Sequence, residues 1–194
     1  MKTCINLTIG TTTITKKTDT DPDTSYLGEY GQTVKPGCIV RKDTTFFEDI
    51  PEDWNTWDIK EAHQMYDHEC PYFYPPDNGE KPGNPDYKKY ALQDYQNMED
   101  LNNSQWCFIG ITVKTEVIGK IPSIKDGGKY TEISDQIINS LWGIEDHFDK
   151  DSKAYIADTI EDLKEENKAE LLKMGFSEKE IDDSLNNAIE KEDW

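Results

Sequence analysis

Residues 101–146 read LNNSQWCFIGITVKTEVIGKIPSIKDGGKYTEISDQIINSLWGIED and include the longest continuous apolar run of the chain, Trp106–Ile111. From Thr112 to Ile118, polar and apolar side chains alternate, which is typical of a strand with one face in a core. Up to Ile144 the stretch holds four acidic and four basic residues and is neutral, unlike its acidic flanks. The pattern predicts a long central strand of a sheet.

Two segments before this stretch also have the composition of strands. Residues 3–15 alternate apolar side chains with threonine, which predicts one strand or a hairpin that turns near Gly10. Residues 38–47 predict a second, short strand.

The segment that follows the central strand allows two interpretations. Residues 130–142 fit a strand through Ile133 followed by a helix capped by Ser134 or Asp135. They also fit a strand that returns beside residues 106–118. The apolar pairs at 137–138 and 141–142 favour a strand over residues 138–144, which Gly143 would end.

The middle of the chain predicts two helices separated by a loop. Residues 57–67 have Trp57, Glu61 and Met65 at helical spacing. Residues 71–86 hold five of the nine prolines and predict an ordered loop rather than a helix or a central strand, because proline lacks the backbone donor that both need. From Pro85, a helix is predicted whose apolar and aromatic stripe packs in a core; the stripe consists of Tyr87, Tyr90, Ala91, Asp94, Tyr95, Met98 and Leu101.

The C-terminal region predicts a helical hairpin. Ser152 is the expected cap of a helix that runs to Met174 and ends at Gly175. Its apolar face is predicted to consist of Ile156, Ile160, Leu163, Asn167 and Leu171. Ser177 and Glu180 form a capping-box pattern for a second helix through Ile189, with Phe176 placed to contact Ile181.

Together these elements predict an α+β fold, with a central antiparallel sheet, flanking helices and a C-terminal helical hairpin. We expect a core domain over residues 1–148 and an acidic hairpin over residues 149–194.

Charge is the strongest property of the composition. The net charge is −19, and the excess acid lies in two blocks of −10 each, residues 48–100 and residues 145–194. Such surfaces are repelled by nucleic acids and anionic lipids and are attracted to basic clefts of proteins, although acidic residues also serve solubility alone. No apolar segment is long enough to span a membrane, and the N-terminal residues lack a signal peptide's apolar core, so a cytoplasmic location is expected.

The sequence carries no established catalytic motif, and we predict a binding protein rather than an enzyme, without a cofactor or metal. The widely spaced cysteines predict reduced thiols. Cys107 lies in an apolar run that disfavours a thiolate. The spacing of His63, Asp67, His68 and Cys70 suits no standard zinc site.

Five motifs, read in order, resemble a largely uncharacterised family of small acidic proteins of phages and other mobile elements. They are DPDTSYLGEY at 21–30, QDYQNMEDLN at 93–102, WCFIGI at 106–111, SLWGIED at 140–146 and GFSEKEI at 175–181. The resemblance implies a mobile-element protein that blocks host defence, as anti-CRISPR and antirestriction proteins do.

On this interpretation the partner is a host defence nuclease, such as a Cas effector or a restriction enzyme, whose basic nucleic-acid channel is filled by carboxylates. The expected partner-binding residues are Glu52, Asp53, Trp54, Trp57, Asp58, Glu61, Glu161, Asp162, Glu165, Glu166, Glu170, Glu178, Asp182 and Asp183. Two alternatives are a phage accessory or scaffold protein that binds another basic protein, and a metal-dependent nuclease that uses clustered carboxylates.

Overall fold

A computed structural model describes residues 6–33, 37–41, 57–59, 72–77, 79, 84–122 and 130–193. It divides into two compact units, one of residues 1–22 with 107–194 and the other of residues 23–106. The fold is α+β, as predicted. The division differs from the domain boundary expected at residue 148, because residues 149–194 belong to the same unit as the main sheet.

The helices and strands are numbered in chain order. The strands are β1 (Asn6–Thr18), β2 (Glu29–Gly31), β3 (Ile39–Arg41), β4 (Trp57–Ile59), β5 (Tyr72–Tyr74), β6 (Cys107–Pro122), β7 (Tyr130–Asp146) and β8 (Ile189–Asp193). The helices are α1 (Pro85–Asn102), α2 (Lys150–Lys173) and α3 (Glu178–Asn186). None of the helices in these ranges is long and apolar enough to cross a membrane.

The first unit is built on a four-stranded sheet in the order β7-β6-β1-β8. The predicted central strand is β6, which pairs antiparallel with both β1 and β7. β8 pairs with β1 in parallel, so the sheet is mixed rather than purely antiparallel. The second C-terminal helix is therefore shorter than predicted: it ends at Asn186, and Ile189 begins a strand instead.

Two glycines that were expected to turn or end strands lie inside them. β1 runs through Gly10 with a register shift between Ile9 and Thr12, so no hairpin forms there. β7 is one continuous strand through Gly143, which excludes the helical interpretation of residues 134–142. Gly143 has a φ of 76°, which favours glycine, and lies at the register shift opposite Ile109 and Ile111.

One face of the sheet is covered by α2 and α3. The odd-numbered β6 residues Ile109, Ile111, Val113 and Val117 are buried against these helices in two apolar clusters. This period-2 burial is the alternation that the sequence shows from Thr112 to Ile118. The core therefore fixes α2 and α3 on one side of the sheet.

On the other face, the ring of Trp142 lies directly over Gly110. A Cβ atom on Gly110 would overlap Cε3 and Cδ2 of that ring.

We expect Gly110→Ala to lower the free energy of unfolding by about 2 kcal/mol, because Gly110 is buried and the ring must be displaced. In a Trp142→Ala background the same change is expected to cost less than about 0.5 kcal/mol, measured by urea denaturation. Equal costs in both backgrounds would show that the ring is not the cause.

The second unit contains a small sheet in the order β2-β5-β3-β4 and the helix α1. Asn84 caps α1 by accepting a hydrogen bond from the Asp86 backbone N–H at 3.0 Å. The predicted stripe is confirmed for Tyr87, Ala91, Tyr95 and Met98, which are buried. Tyr90 is exposed.

Two sequence predictions in this unit are wrong. Tyr72–Tyr74 is an inner strand, because the neighbouring prolines lie outside its three residues and leave its backbone donors available. Trp57–Ile59 is a strand paired in parallel with β3, and not the start of a helix. The remainder of the helix predicted over residues 57–67 lies outside the described residues.

Candidate partner-binding surface

The start of α2 is fixed by Asp149 rather than by the predicted cap, Ser152. A carboxylate oxygen of Asp149 accepts hydrogen bonds from the Ser152 backbone N–H at 2.8 Å and from its hydroxyl at 2.9 Å. Ser152 is buried in the first turn, and its Oγ accepts a hydrogen bond from the His147 backbone N–H. The helix ends as predicted before Gly175, which has a φ of 95°.

The buried face of α2 matches the sequence prediction. Ile156, Ile160, Leu163 and Leu171 are buried in the two core clusters. Asn167 is also fully buried, and its Nδ2 donates a hydrogen bond to the Val113 carbonyl of β6 at 3.0 Å. This face fixes the rotation of α2 about its axis, and hence the direction in which the remaining side chains point.

The solvent-facing side of α2 carries a row of carboxylates. Asp158, Asp162, Glu166 and Glu170 follow one another at intervals of four residues, and all four are exposed. None of them forms an ion pair with a lysine or arginine of the described chain. We call these four residues the acidic row.

Glu161 and Glu165 are also exposed and lie beside the acidic row. With them, α2 presents six carboxylates over an axial length of about 18 Å, or about one per 3 Å. Each strand of duplex DNA carries one phosphate per about 3.4 Å of axis. The density of carboxylates along α2 is therefore close to the density of phosphates along one nucleic-acid strand, and the two lysines in the same span, Lys164 and Lys168, reduce the net charge from six negative charges to four.

One lysine of α2 links Glu165 to acidic residues of α3. Lys168 of α2 donates a hydrogen bond to Asp182 of α3 at 2.7 Å. This bond, followed by the attraction of nearby carboxylates that include Glu165 and Glu178, raises the pKa of Lys168. Three of the residues predicted to bind a partner, Glu165, Glu178 and Asp182, are thus brought together around Lys168.

Not all predicted residues contribute equally to this surface. Glu161 and Asp182 each accept a hydrogen bond from a lysine, Lys164 and Lys168, at 2.7 Å, which reduces the charge that they present. Asp183 lines a groove of about 590 Å³ beside β1. The sequence prediction omitted Asp158, which the four-residue spacing from Asp162 and Glu166 could have identified.

Some predicted binding residues of the first acidic block are not among the described residues. Glu52, Asp53, Trp54 and Glu61 lie outside them. Trp57 and Asp58 belong to β4 in the second unit.

The side chains considered for thiol or metal chemistry give little support for a nucleophilic cysteine or for a metal site. Burial, together with the nearby carboxylate of Asp146, raises the pKa of the Cys107 thiol, which disfavours the nucleophilic thiolate. Within the described ranges, no group of three or more histidine, cysteine or acidic side chains is arranged to hold a metal ion. His63, Asp67, His68 and Cys70 lie outside the described residues.

The carboxylates that form hydrogen bonds at the first turns of α2 and α3 predict that the stability of the fold depends on pH. Hydrogen bonds from Ser152 lower the pKa of Asp149, and hydrogen bonds from Ser177 lower that of Glu180, which completes the predicted capping box. A carboxyl group with a lowered pKa in the folded state stabilises the fold above its ordinary pKa of about 4, and this contribution is lost as the pH falls.

We therefore expect the stability difference between the wild type and the Asp149→Asn/Glu180→Gln variant to be constant above about pH 5.5 and to shrink from there toward pH 3. Thermal unfolding of both proteins across this range measures the difference. The comparison cancels the relief of general charge repulsion that acid causes in both proteins. A difference that does not change with pH would contradict the assigned hydrogen bonds.

No family model, curated protein or solved structure matches the chain.

Proposed function

We propose that this chain is a binding protein whose α2 and α3 carboxylates occupy the basic nucleic-acid cleft of a partner protein. The observation that carries the proposal is the acidic row with Glu161 and Glu165, whose carboxylates are spaced along the helix axis much as phosphates are along a nucleic-acid strand, with Glu161 alone of the six paired to a lysine of the described residues. A cleft that binds phosphates with lysines and arginines would attract the same charge pattern.

The cost of the acidic row to the helix supports a functional role. Like charges four residues apart repel, and each such pair destabilises a helix by about 0.2–0.5 kcal/mol. Solubility needs a net charge away from zero, but it does not require an uninterrupted row of four carboxylates on one side of a helix. A partner that supplies the missing positive charge would account for the row.

The motif resemblance indicates which partner class to test first. The five motifs are similar to those of phage and mobile-element proteins, for which inhibition of a Cas effector or a restriction enzyme is the implied role. We therefore propose an anti-CRISPR or antirestriction activity in a bacterial host, with no direct binding of nucleic acid by the chain itself. An accessory or scaffold protein would use the same surface on a different basic partner.

The nuclease alternative has less support from the geometry. Metal-dependent phosphodiester cleavage needs carboxylates that converge on one or two ions about 4 Å apart. The carboxylates of the acidic row instead succeed one another at axial steps of about 6 Å along an exposed helix. Incubation of the chain with DNA and RNA, with and without Mg²⁺ or Mn²⁺, distinguishes the two functions, since cleavage that requires metal would favour the nuclease.

The experiment that tests the proposal is capture from a host lysate at low salt, with the chain immobilised, followed by assay of purified Cas effectors and restriction enzymes. We expect a nucleic-acid-binding protein to be retained, to be released as salt rises, and to lose nuclease activity when the chain is added. Absence of binding to any such protein at low salt would contradict the proposal.

A further inference from the structure

The two edge strands of the main sheet differ in length and in charge, and both properties affect self-association. β8 forms one edge with five residues, four of which are charged: Glu190, Lys191, Glu192 and Asp193. β7 forms the other edge with 17 residues, and among the described strands it pairs only with β6. Short, charged edges resist pairing with other chains, whereas long, uncharged edges promote it.

The middle of β7 lacks the features that protect an edge strand. Residues 136–142 contain no charged residue, proline or glycine. The exposed fractions are 54% for Ile138, 42% for Leu141 and 49% for Trp142. Exposed apolar side chains on both faces of an edge strand are unfavourable in water, so burial would stabilise them.

From these observations we infer that β7 pairs antiparallel with β7 of a second copy, joining two four-stranded sheets into one of eight strands. This interface goes beyond the proposed function. A twofold axis through Ile138 places Ser134 opposite Trp142, Asp135 opposite Leu141 and Gln136 opposite Ser140. The backbone groups of this segment that face away from β6 then gain partners in the other copy, and the Gln136 N–H, which donates to the Asp135 carboxylate at 2.8 Å, exchanges that bond for one across the interface.

The charge pattern of β7 fits a second copy in this register. Asp135 is the only charged residue between Ser134 and Trp142, and it falls opposite the uncharged Leu141. The two Asp135 carboxylates would lie about 20 Å apart along the strands, which exceeds the screening length of about 10 Å in 0.1 M salt. No acidic residue within the paired segment therefore faces another.

The salt dependence of this dimer is opposite in sign to that of the proposed partner complex. Two copies that each carry a charge of −19 repel, and salt screens this repulsion. Dimerisation should therefore tighten by at least about fivefold between 50 and 500 mM NaCl, whereas binding to a basic partner should weaken. Failure of one proposal is thus distinguishable from failure of the other.

Sedimentation equilibrium of the full chain at 5–200 µM tests the interface at both salt concentrations. We expect a mass of twice 22.4 kDa at the higher protein concentrations. Ile138→Lys should weaken dimerisation by at least about 100-fold, because it places two lysines opposite each other at the centre of the pairing. Ile189→Lys, which makes the same change at a half-exposed residue on the β8 edge, should leave the dimer unchanged.

Circular dichroism and thermal unfolding of the Ile138→Lys monomer check that its fold is retained, as expected for an exposed residue. A wild-type mass of 22.4 kDa at all concentrations in both salts would overturn the inference. A dimer that withstands Ile138→Lys, or one that dissociates in Ile189→Lys, would also overturn it.

Discussion

Neutralising the acidic row, with Asp158→Asn, Asp162→Asn, Glu166→Gln and Glu170→Gln, is expected to weaken binding to the captured partner by about 100-fold. An exposed ion pair contributes up to about 1 kcal/mol, so four partly effective pairs give about 2.7 kcal/mol. The free energy of unfolding should rise by about 1 kcal/mol, because three repulsive pairs at four-residue spacing are removed. Calorimetric titration and urea denaturation measure the two effects.

The matched control removes the same number of charges from exposed acidic residues elsewhere, with Asp21→Asn, Glu29→Gln, Asp86→Asn and Glu190→Gln. This variant should retain binding within about threefold, because only long-range attraction is reduced. If both variants weakened binding equally, net charge alone would drive association and the row would have no special role. If neither did, the partner would bind another surface.

Replacing the buried Asn167 with aspartate is expected to destabilise the fold by about 3 kcal/mol at pH 7. The Nδ2 group donates to the Val113 carbonyl at 3.0 Å, and aspartate would direct a carboxylate at that oxygen instead. Burial would raise the pKa of the new carboxyl group above its ordinary value of about 3.9. The loss of stability should therefore grow as the pH rises above about 4, where the unfolded chain ionises more readily than the folded one.

Asn167→Leu separates the effect of charge from that of volume. The Oδ1 atom of Asn167 has no hydrogen-bond partner among the described residues, so leucine removes an unsatisfied acceptor along with one donor. We expect this variant to lie within about 1 kcal/mol of the wild type and to show no dependence on pH in that range. If leucine were as destabilising as aspartate, the amide would be essential for a reason other than avoiding a buried charge. Urea denaturation at pH 4 and pH 7 measures all three proteins.

The sequence was most informative where periodicity and capping act over short distances. The alternation after Thr112 predicted β6, and the spacing from Ile156 to Leu171 predicted the buried face of α2. The capping box of Ser177 and Glu180 was also confirmed, because both partners lie within one turn. In each case the decisive interaction is local, or is set by a single repeating face.

Sequence reasoning was weaker where distant pairing decides the structure. Gly10 and Gly143 are each compatible with a turn, and only pairing with β6 makes them part of continuous strands. Ile189 continues a helical pattern, but its place beside Thr13 of β1 makes it the start of β8. The prolines around Tyr72–Tyr74 suggested a loop, although three residues are enough for an inner strand.

Only part of the acidic surface could be predicted from the sequence, because the rest depends on packing between distant residues. The exposed side of α2 follows from its own periodicity, so Asp162, Glu165, Glu166 and Glu170 could be identified from sequence. The ion pair that joins Asp182 to Lys168 depends on how α3 packs against α2, which no sequence pattern specifies. Pairing with lysines also reduces the charge of two residues that composition alone counted as fully available.

A competition between this chain and duplex DNA for the captured partner, measured by fluorescence anisotropy of labelled DNA from 50 to 400 mM NaCl, tests whether the carboxylates of α2 and α3 occupy a basic nucleic-acid cleft. We expect the chain to displace the DNA fully and competitively, and the affinity of the chain to fall steadily as salt rises. Simultaneous binding of DNA and chain to the partner, or an affinity that does not respond to salt, would show that the carboxylates do not occupy the DNA-binding cleft.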